Sequence, residues 1–265
     1  MPTLYLGHGA PPLLDDARWV AELRELASRI DRPQSILVVS AHWEARPVAL
    51  SSVVGAPLVY DFWGFPERYY RLTYPAPGSP DLAALVEGHL GAAGHSVARD
   101  EGRGLDHGAW VPLLAMYPEA DIPVLQLSLP SLDPEELYAV GQALAPLRDA
   151  GVLLIGSGFF THNLRALGQV GHPDGPPPAW SVEFDAWGAE ALADGEIDAL
   201  LDFEHRAPAA RLAHPRTEHF APLFVTLGAG EGTPVDTAIT GFWFGLSKRT
   251  IVLAEAPIGE VTQHV

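Results

Sequence analysis

Short apolar runs that end at Gly or Ser recur along this chain of 265 residues. Continuous apolar runs of four to eight residues, bounded by turn residues, are typical of strands that are buried on both faces. The pattern therefore predicts four inner strands, at Thr3–Leu6, Ile36–Val39, Pro123–Leu127 and Val152–Ile155.

Helical patterns lie between these runs, and two of them have clear start signals. In each, a side chain that can cap a helix precedes a proline suited to the first turn. Gly151 follows the second pattern, where a left-handed residue commonly ends a helix. The predicted helices are Leu82 to Leu90 after Ser79-Pro80, and Leu137 to Leu147 after Asp133-Pro134.

The C-terminal part of the chain predicts two more strands, Ala238–Phe244 and Arg249–Ala254. Strands that alternate with helices indicate an α/β fold, a three-layer α/β/α sandwich around a mostly parallel, mixed central sheet. We expect one domain over residues 1–265, with the proline-rich segment Gly171–Pro178 as a loop inside it.

Charge and composition exclude several classes of function. Sixteen Lys and Arg stand against 33 Asp and Glu, a net charge of −17, so we expect neither nucleic acid nor an anionic membrane as partner. Cysteine is absent, which excludes disulfides, thiolate metal sites and a cysteine nucleophile. No leader-like segment follows Met1, and no apolar run approaches the roughly 18 residues of a membrane span, so a cytoplasmic protein is expected.

The candidate chemistry lies in the histidines. His8, His42 and His162 each follow a predicted strand, and loops at the carboxyl ends of parallel strands are where α/β proteins place their sites. His107 and His219 lie in short polar motifs of their own. Five others stand in polar or loop contexts and are expected to be ordinary surface or capping residues: His89, His95, His172, His205 and His264.

A transition-metal site in a chain without cysteine must use imidazole and carboxylate ligands, which suit Fe(II), Zn(II) or Mn(II). No His-Glu-x-x-His pair is present, so a zinc protease of that type is not favoured. The stretch Gly156-Ser157-Gly158 lacks the spacing of a nucleophile elbow, which also disfavours a serine hydrolase.

Several short segments, in their order and spacing, resemble the class III extradiol ring-cleaving dioxygenases of the LigB superfamily, in particular the DOPA 4,5-dioxygenase-like branch. The resemblance covers nearly the whole chain and implies extradiol cleavage of a catechol such as DOPA with O2. It also implies one divalent metal, Fe(II) for activity or Zn(II) in purified protein. The matching segments are Leu6-Gly7-His8-Gly9, Ser40-Ala41-His42-Trp43, Tyr60 to Pro66, Asp106 to Leu113, Gly156-Ser157-Gly158, Thr161 to Leu164 and Glu218 to Leu223.

Carried over to this sequence, the resemblance implies that His8, His42 and His219 hold the metal. His162 is implied as the acid–base residue, with a pKa near working pH, and a fourth metal ligand is the alternative. Glu218 stays open as a rival third ligand, because relatives outside this branch use a glutamate. His107 is implied to lie beside the substrate, and a hydrogen bond to a backbone carbonyl in a buried turn is its ordinary alternative.

The aromatic residues Tyr60, Phe62, Trp63 and Phe65 are candidates for the wall of a catechol pocket, which needs apolar surfaces and few polar groups. A loop held to the core by its rings is an equally ordinary interpretation. Two other functions stay open at this point: a zinc-dependent hydrolase, and a non-catalytic interaction protein on the same fold. The sequence leaves the oligomeric state open, a homo-oligomer included.

Overall fold

The computed structural model describes residues 1–258 and 261, with Gln169 described by its backbone only. Its strands lie where apolar runs are buried on both faces, and short edge strands complete the sheet. The strands are β1 Thr3–Gly7, β2 Ser35–Glu44, β3 Val48–Leu50, β4 Val97–Arg99, β5 Val124–Leu129, β6 Val152–Gly158, β7 Val235–Ile239, β8 Phe242–Trp243, β9 Leu246–Ser247 and β10 Thr250–Leu253.

Helices follow most of the inner strands, and three of the longer ones begin at an aspartate or serine whose side chain accepts a backbone N–H of the first turn. Such caps satisfy donors that have no partner inside the helix. The α-helices are α1 Ala17–Ser28, α2 Pro80–Ala92, α3 His107–Met116, α4 Pro134–Leu144, α5 Leu167–Val170, α6 Ala179–Ala193, α7 Ile197–Leu201, α8 Phe203–Arg206, α9 Ala210–Ala213 and α10 Ala221–Ala229.

The main sheet has the strand order β4-β3-β5-β2-β6-β1-β10-β7. Its centre is parallel, because β2 runs parallel to both β5 and β6, and β6 runs parallel to β1. Antiparallel pairs join β3 to β5, β1 to β10 and β10 to β7. The mixed, mostly parallel sheet expected from the sequence is therefore confirmed.

Each face of the sheet carries its own buried core. One face packs α2, α4, α6 and α10 against the strands, with Phe184 and Phe224 among the fully buried side chains. The opposite face packs α1 and α3, through Trp19 and Trp110. The inner strands are buried on both sides, which explains their unbroken apolar runs.

Two predicted elements differ in their ends. The helix predicted to reach Leu147 ends at Leu144, continues as a 3₁₀ turn, and is followed by Gly151 at the expected positive φ of 76°. The single strand predicted over Ala238–Phe244 is wrong. Gly241, with φ of 102°, breaks it, and the residues beyond form the small hairpin of β8 and β9.

A buried ion pair joins the first helix to the C-terminal strands. Lys248, the sole lysine of the sequence, contacts the carboxylate of Glu22, and both side chains are almost completely buried. The ammonium also lies 5.4 Å from the centre of the Trp19 ring. Within the described residues, no helix is both long enough and apolar enough to cross a membrane.

Candidate metal centre

Five histidines from distant parts of the chain meet at one edge of the sheet. His8 directly follows β1, and His42 lies where the pairing of β2 with β5 shifts register. His107 is the first residue of α3, His162 lies in the loop after β6, and His219 precedes α10. The carboxyl ends of the parallel strands thus bring together the residues selected from the sequence.

The five rings lie at different spacings. The ring centres of His8 and His42 are 5.0 Å apart, those of His8 and His219 are 5.3 Å apart, and those of His42 and His219 are 4.9 Å apart. His107 is closer to His42, at 4.0 Å, and His162 stacks on His219 at 3.4 Å. Two groups have ligand atoms within 4.8 Å of one another: His8, His42 and His107, and His162, Glu218 and His219.

The Nδ1 atoms of three rings face oxygen atoms. Ser157 Oγ donates its proton to Gly108 O at 2.5 Å, and so accepts from His8 Nδ1 at 3.0 Å. His219 Nδ1 donates to Glu218 Oε1 at 2.9 Å. In the third ring, His42 Nδ1 lies 3.4 Å from an oxygen of Asp61. In each ring Nε2 is then the nitrogen left with a free lone pair, the arrangement that outer partners impose on metal-binding histidines.

The Nε2 atoms of His8 and His42 lie 2.9 Å apart. Two lone pairs at that distance repel each other, whereas two nitrogens bound to one cation at roughly 2.1 Å each lie about 3 Å apart. Burial lowers the pKa of His8 and His219 well below the usual value and that of His42 to about 4, so the rings are neutral. Neutral imidazoles are the form that binds metal, and the donor set fits a divalent ion.

Two carboxylates lie behind the rings, and their pKa values are shifted in opposite directions. Burial alone would raise the pKa of Asp61, but the hydrogen bonds from His107 outweigh it and the pKa lies below its usual value. Burial raises the pKa of Glu218, whose second oxygen lies 3.6 Å from Arg216. Asp61 was not singled out from the sequence, because nothing local marks it as a partner of a histidine 46 residues away.

The surroundings of His107 and His162 bear on the alternatives left open for them. His107 Nδ1 donates to Asp61 Oδ1 at 2.7 Å, so its partner is a carboxylate and not the backbone carbonyl of the ordinary alternative. Burial, reinforced by the neighbouring His214, lowers the pKa of His162 to about 3. This differs from the expected titration near working pH, and the ring is neutral in the folded protein.

A buried network of hydrogen-bonded side chains connects the elements that carry the histidines. Asp106 accepts from Ser40 Oγ at 2.8 Å and from Arg103 at 3.0 Å, and it also contacts the amide of Gln126. Gly108 lets the helix approach the rings, since a Cβ there would lie 2.4 Å from Ser40 Oγ. Sequence reasoning missed this network because its members come from four separate elements.

The aromatic candidates lie at different depths. Phe62 is buried and meets His107 edge to face, with ring centres 5.8 Å apart. Tyr60 packs on Phe62 and donates to Leu72 O at 2.6 Å, and Phe65 also contacts Phe62. Trp63 is 84% exposed. The rings hold this loop to the core, and only Phe62 of the four has a described ring contact with a central histidine.

The remaining histidines lie outside the centre. His89 and His95 are half-buried, His172 and His205 are exposed, and His264 is outside the described residues. His214, which the sequence analysis did not weigh, is buried among phenylalanines, and its Nε2 donates to Phe160 O at 3.0 Å. Burial lowers its pKa to about 4, so it is a neutral core residue.

An α/β/α fold with a buried histidine cluster at the carboxyl edge of its sheet is typical of proteins that bind a metal ion through imidazole ligands. Residues 15–243 match the family described as the catalytic LigB subunit of aromatic ring-opening dioxygenase. The chain belongs to this family. The predicted family and the ring-opening dioxygenase activity are confirmed.

Similar proteins support the same assignment along nearly the whole chain. The sequence is 45% identical over 251 residues to a 4,5-DOPA dioxygenase extradiol of Beta vulgaris, covering 92% of each chain. It is 39% identical to a protein of the same name from Escherichia coli K12, covering 92% of this chain and 91% of that one. A crystal structure of an uncharacterized protein from Escherichia coli K12 superposes with a TM-score of 0.81 at 35% identity, covering 96% of this chain and 100% of that one.

Proposed function

We propose that this protein opens the ring of a catechol such as DOPA beside its hydroxyl groups, using O2 at one divalent metal held by His8, His42 and His219. The observation that carries the ligand set is the convergence of three neutral rings, His8 and His219 buried and His42 partly exposed, whose Nδ1 atoms face oxygen atoms. The catechol is proposed as DOPA-like because the similar proteins from Beta vulgaris and Escherichia coli bear that name.

Ring spacing supports His219 over His107 as the third ligand. Imidazoles that share a metal at roughly 2.1 Å per nitrogen, at angles from right to tetrahedral, place their ring centres about 5 Å apart. The separations within His8, His42 and His219 range from 4.9 to 5.3 Å. The 4.0 Å between His42 and His107 is shorter than this geometry gives.

The position of Glu218 supports an outer role for the carboxylate. Its Oε1 accepts from His219 Nδ1, on the side of the ring away from Nε2. A carboxylate in this place orients the imidazole and raises its basicity, as is common for histidines that bind metal. We therefore propose His219 as the ligand and Glu218 as its hydrogen-bond partner.

When bound, the metal supplies coordination positions for the two catechol oxygens and for O2, together with Lewis-acid activation. Three neutral protein ligands leave such positions free, and Fe(II) is the ion we propose for activity, with Zn(II) as an alternative in purified protein. The chain's own residues then have to bind the catechol, orient it and move its protons.

His162 is proposed as the acid–base residue. Burial lowers its pKa to about 3, so the ring is neutral and has the lone pair that a proton acceptor needs. A base this weak depends on a nearby negative charge to hold the proton that it would accept from a catechol hydroxyl and later return. Its Nδ1 lies 3.7 Å from Glu218, which stabilises the charge that the ring then carries. His162 as a fourth ligand remains the alternative, and metal analysis separates the two.

His107 is proposed to orient the catechol, with Phe62 beside it and Tyr60 and Phe65 packed behind Phe62. The edge of Phe62 meets the His107 ring, which gives an apolar wall next to a polar group. Trp63 is proposed as an outer contact at the surface, consistent with its exposure.

The test is anaerobic loading of the purified protein with Fe(II), followed by a screen of catechols that includes DOPA. We expect O2 uptake matched by a yellow ring-opened semialdehyde, one metal per chain, and no turnover without metal. Metal binding without O2 uptake for any catechol would contradict the proposal. Cytoplasmic location, the single domain over residues 1–265, and the absence of nucleic-acid and membrane partners remain predictions.

A further inference from the structure

We propose that Asp61 is a positioning residue of the centre, which fixes the His107 ring and, through its second oxygen, the His42 ring. This inference rests on the proposed function, in which His107 orients the catechol and His42 holds the metal. Asp61 touches neither substrate nor metal in this proposal and acts through the two histidines.

The contacts of Asp61 point to this role. Its Oδ1 accepts from His107 Nδ1 at 2.7 Å and from the His107 backbone N–H at 3.2 Å. Its Oδ2 lies 3.4 Å from His42 Nδ1. One carboxylate thus contacts a proposed ligand and a proposed substrate-orienting residue at the same time.

Asp61 also caps helix α3 from outside. Asp106, the residue just before the helix, makes no side-chain cap bond, and the N–H of His107 is one of the donors that a helix cannot satisfy internally. Asp61 accepts that N–H from a loop 46 residues earlier in the chain. A negative charge at the positive end of a helix is stabilised, so the carboxylate is held in one place.

The loop itself is held by its aromatic residues. Tyr60 donates to Leu72 O at 2.6 Å, and Phe62 is buried against Trp110 and His107. Asp61 lies between these two anchored residues, so it has little freedom to turn away. The helix start, the loop and the two rings then form one rigid arrangement.

The consequence is a fixed tautomer and ring orientation. Because Asp61 accepts the hydrogen bond from His107 Nδ1–H, the proton stays on Nδ1 and Nε2 is the nitrogen with the lone pair. A ring held in this way offers a hydrogen-bond acceptor to a catechol hydroxyl. Without the carboxylate, neither the tautomer nor the ring angle is determined by any other described hydrogen bond of the His107 side chain.

The test is a set of Asp61 variants in the full-length protein. We expect Asp61→Ala to lower kcat and raise the KM for catechol, with kcat/KM reduced by about 10–100-fold, the usual effect of removing an outer partner. Asp61→Asn should recover the part of this loss that is due to His107, because its amide oxygen can still accept both His107 N–H groups. In a His107→Ala background, Asp61→Ala should reduce kcat/KM by less than it does in wild type, because only its contact with His42 is left to lose.

A second readout does not require turnover. Long-range ¹H–¹⁵N spectra of the histidine-labelled, Zn(II)-loaded protein should show His107 protonated at Nδ1 in wild type and as a mixture of tautomers in Asp61→Ala. The matched control is Asp133→Ala, which removes the cap of α4 and should change neither kinetics nor the His107 tautomer. Asp61→Ser, which can still cap the helix, replaces the alanine variant if that variant does not fold.

An unchanged His107 tautomer together with kcat/KM within about twofold of wild type would overturn the proposal, and so would full additivity with His107→Ala. Wild-type protein that turns over no catechol would overturn the proposed function, while the tautomer measurement would still decide the role of Asp61.

Discussion

Apart from the proposed ligand His8, the centre consists of two similar halves, each with a carboxylate behind one proposed ligand and one other histidine. The Asp61 half contains Asp61, His42 and His107, and the Glu218 half contains Glu218, His162 and His219. In the first the rings are tilted by 48° with centres 4.0 Å apart; in the second they are stacked, at 17° and 3.4 Å. The two carboxylates differ in their electrostatics: the pKa of Asp61 is lowered, and that of Glu218 is raised.

The histidines explain the lowered pKa of Asp61. Burial would raise that pKa, but the side-chain hydrogen bond from His107 outweighs it, with smaller contributions from His42 and from the backbone N–H at the start of the helix. Glu218 has one oxygen without a hydrogen-bond partner among the described residues, 3.6 Å from an arginine that is itself paired with Glu44. The same combination of residue types therefore gives a firmly charged support in one half and a more weakly held charge in the other.

The largest effect should come from removing the ligand of each half. We expect His42→Ala and His219→Ala each to lose most bound metal and turnover, since one of three ligands is gone. His107→Ala should keep its metal. Elemental analysis of the purified variants measures this, and metal loss in His107→Ala, or full occupancy in His219→Ala with loss in Glu218→Ala, would revise the ligand set.

The next effect concerns the non-ligand histidine of the Glu218 half. His162→Ala should retain metal while turnover falls by about 10²–10⁴-fold, the range for a positioned proton-transfer group. Iron stoichiometry and kcat are measured on one preparation. If metal and turnover fall together, and added Fe(II) restores both, His162 is a fourth ligand; full turnover would exclude both roles.

A smaller effect should distinguish the carboxylates. Glu218→Gln keeps the shape and removes the charge, and we expect about 10–100-fold weaker metal binding or turnover. Glu87→Gln, which breaks an exposed pair with Arg99, is the matched control and should leave both unchanged. Metal affinity is measured by competition with a chelator, and an effect equal to that of the control would remove Glu218 from the centre.

The smallest effect is on stability. His162 has a pKa of about 3 in the folded protein against roughly 6.5 unfolded, so the unfolded state binds more protons below pH 6.5. The free energy of unfolding of metal-free protein should therefore fall with decreasing pH, by about 2 kcal/mol from this group between roughly pH 7 and pH 5. Urea titrations at the two pH values measure this loss of unfolding free energy. The contribution of His162 should be missing in His162→Asn and present in His205→Asn, whose side chain is exposed.

The sequence predicted the inner sheet well because its strands are buried on both faces. The runs beginning at Thr3 and Val152 match β1 and β6 within a few residues, and those beginning at Ile36 and Pro123 lie largely within β2 and β5. Histidines that follow such strands must meet at one edge, which is why the cluster could be anticipated. The edge strands β3 and β4, three residues each, have too little pattern to detect.

What the sequence could not give are contacts between distant side chains. Asp61 is an aspartate in an aromatic loop, and its role depends on a helix start 46 residues further on. The pKa of His162 could not be inferred either, because it depends on burial and on His214, which comes from another segment. The sequence pattern can identify the histidines of such a centre. The pKa values of these residues depend on how distant segments pack around them.

The buried pair of Lys248 and Glu22 has a practical consequence for work with this protein. Amine-reactive labels need an accessible, deprotonated lysine, and the sole lysine of this chain is enclosed and ion-paired against Trp19. Acylation of its side chain therefore requires the packing of helix α1 against the C-terminal strands to open. The rate at which Lys248 is acylated, measured by mass spectrometry on the native protein, therefore reports how often this contact opens.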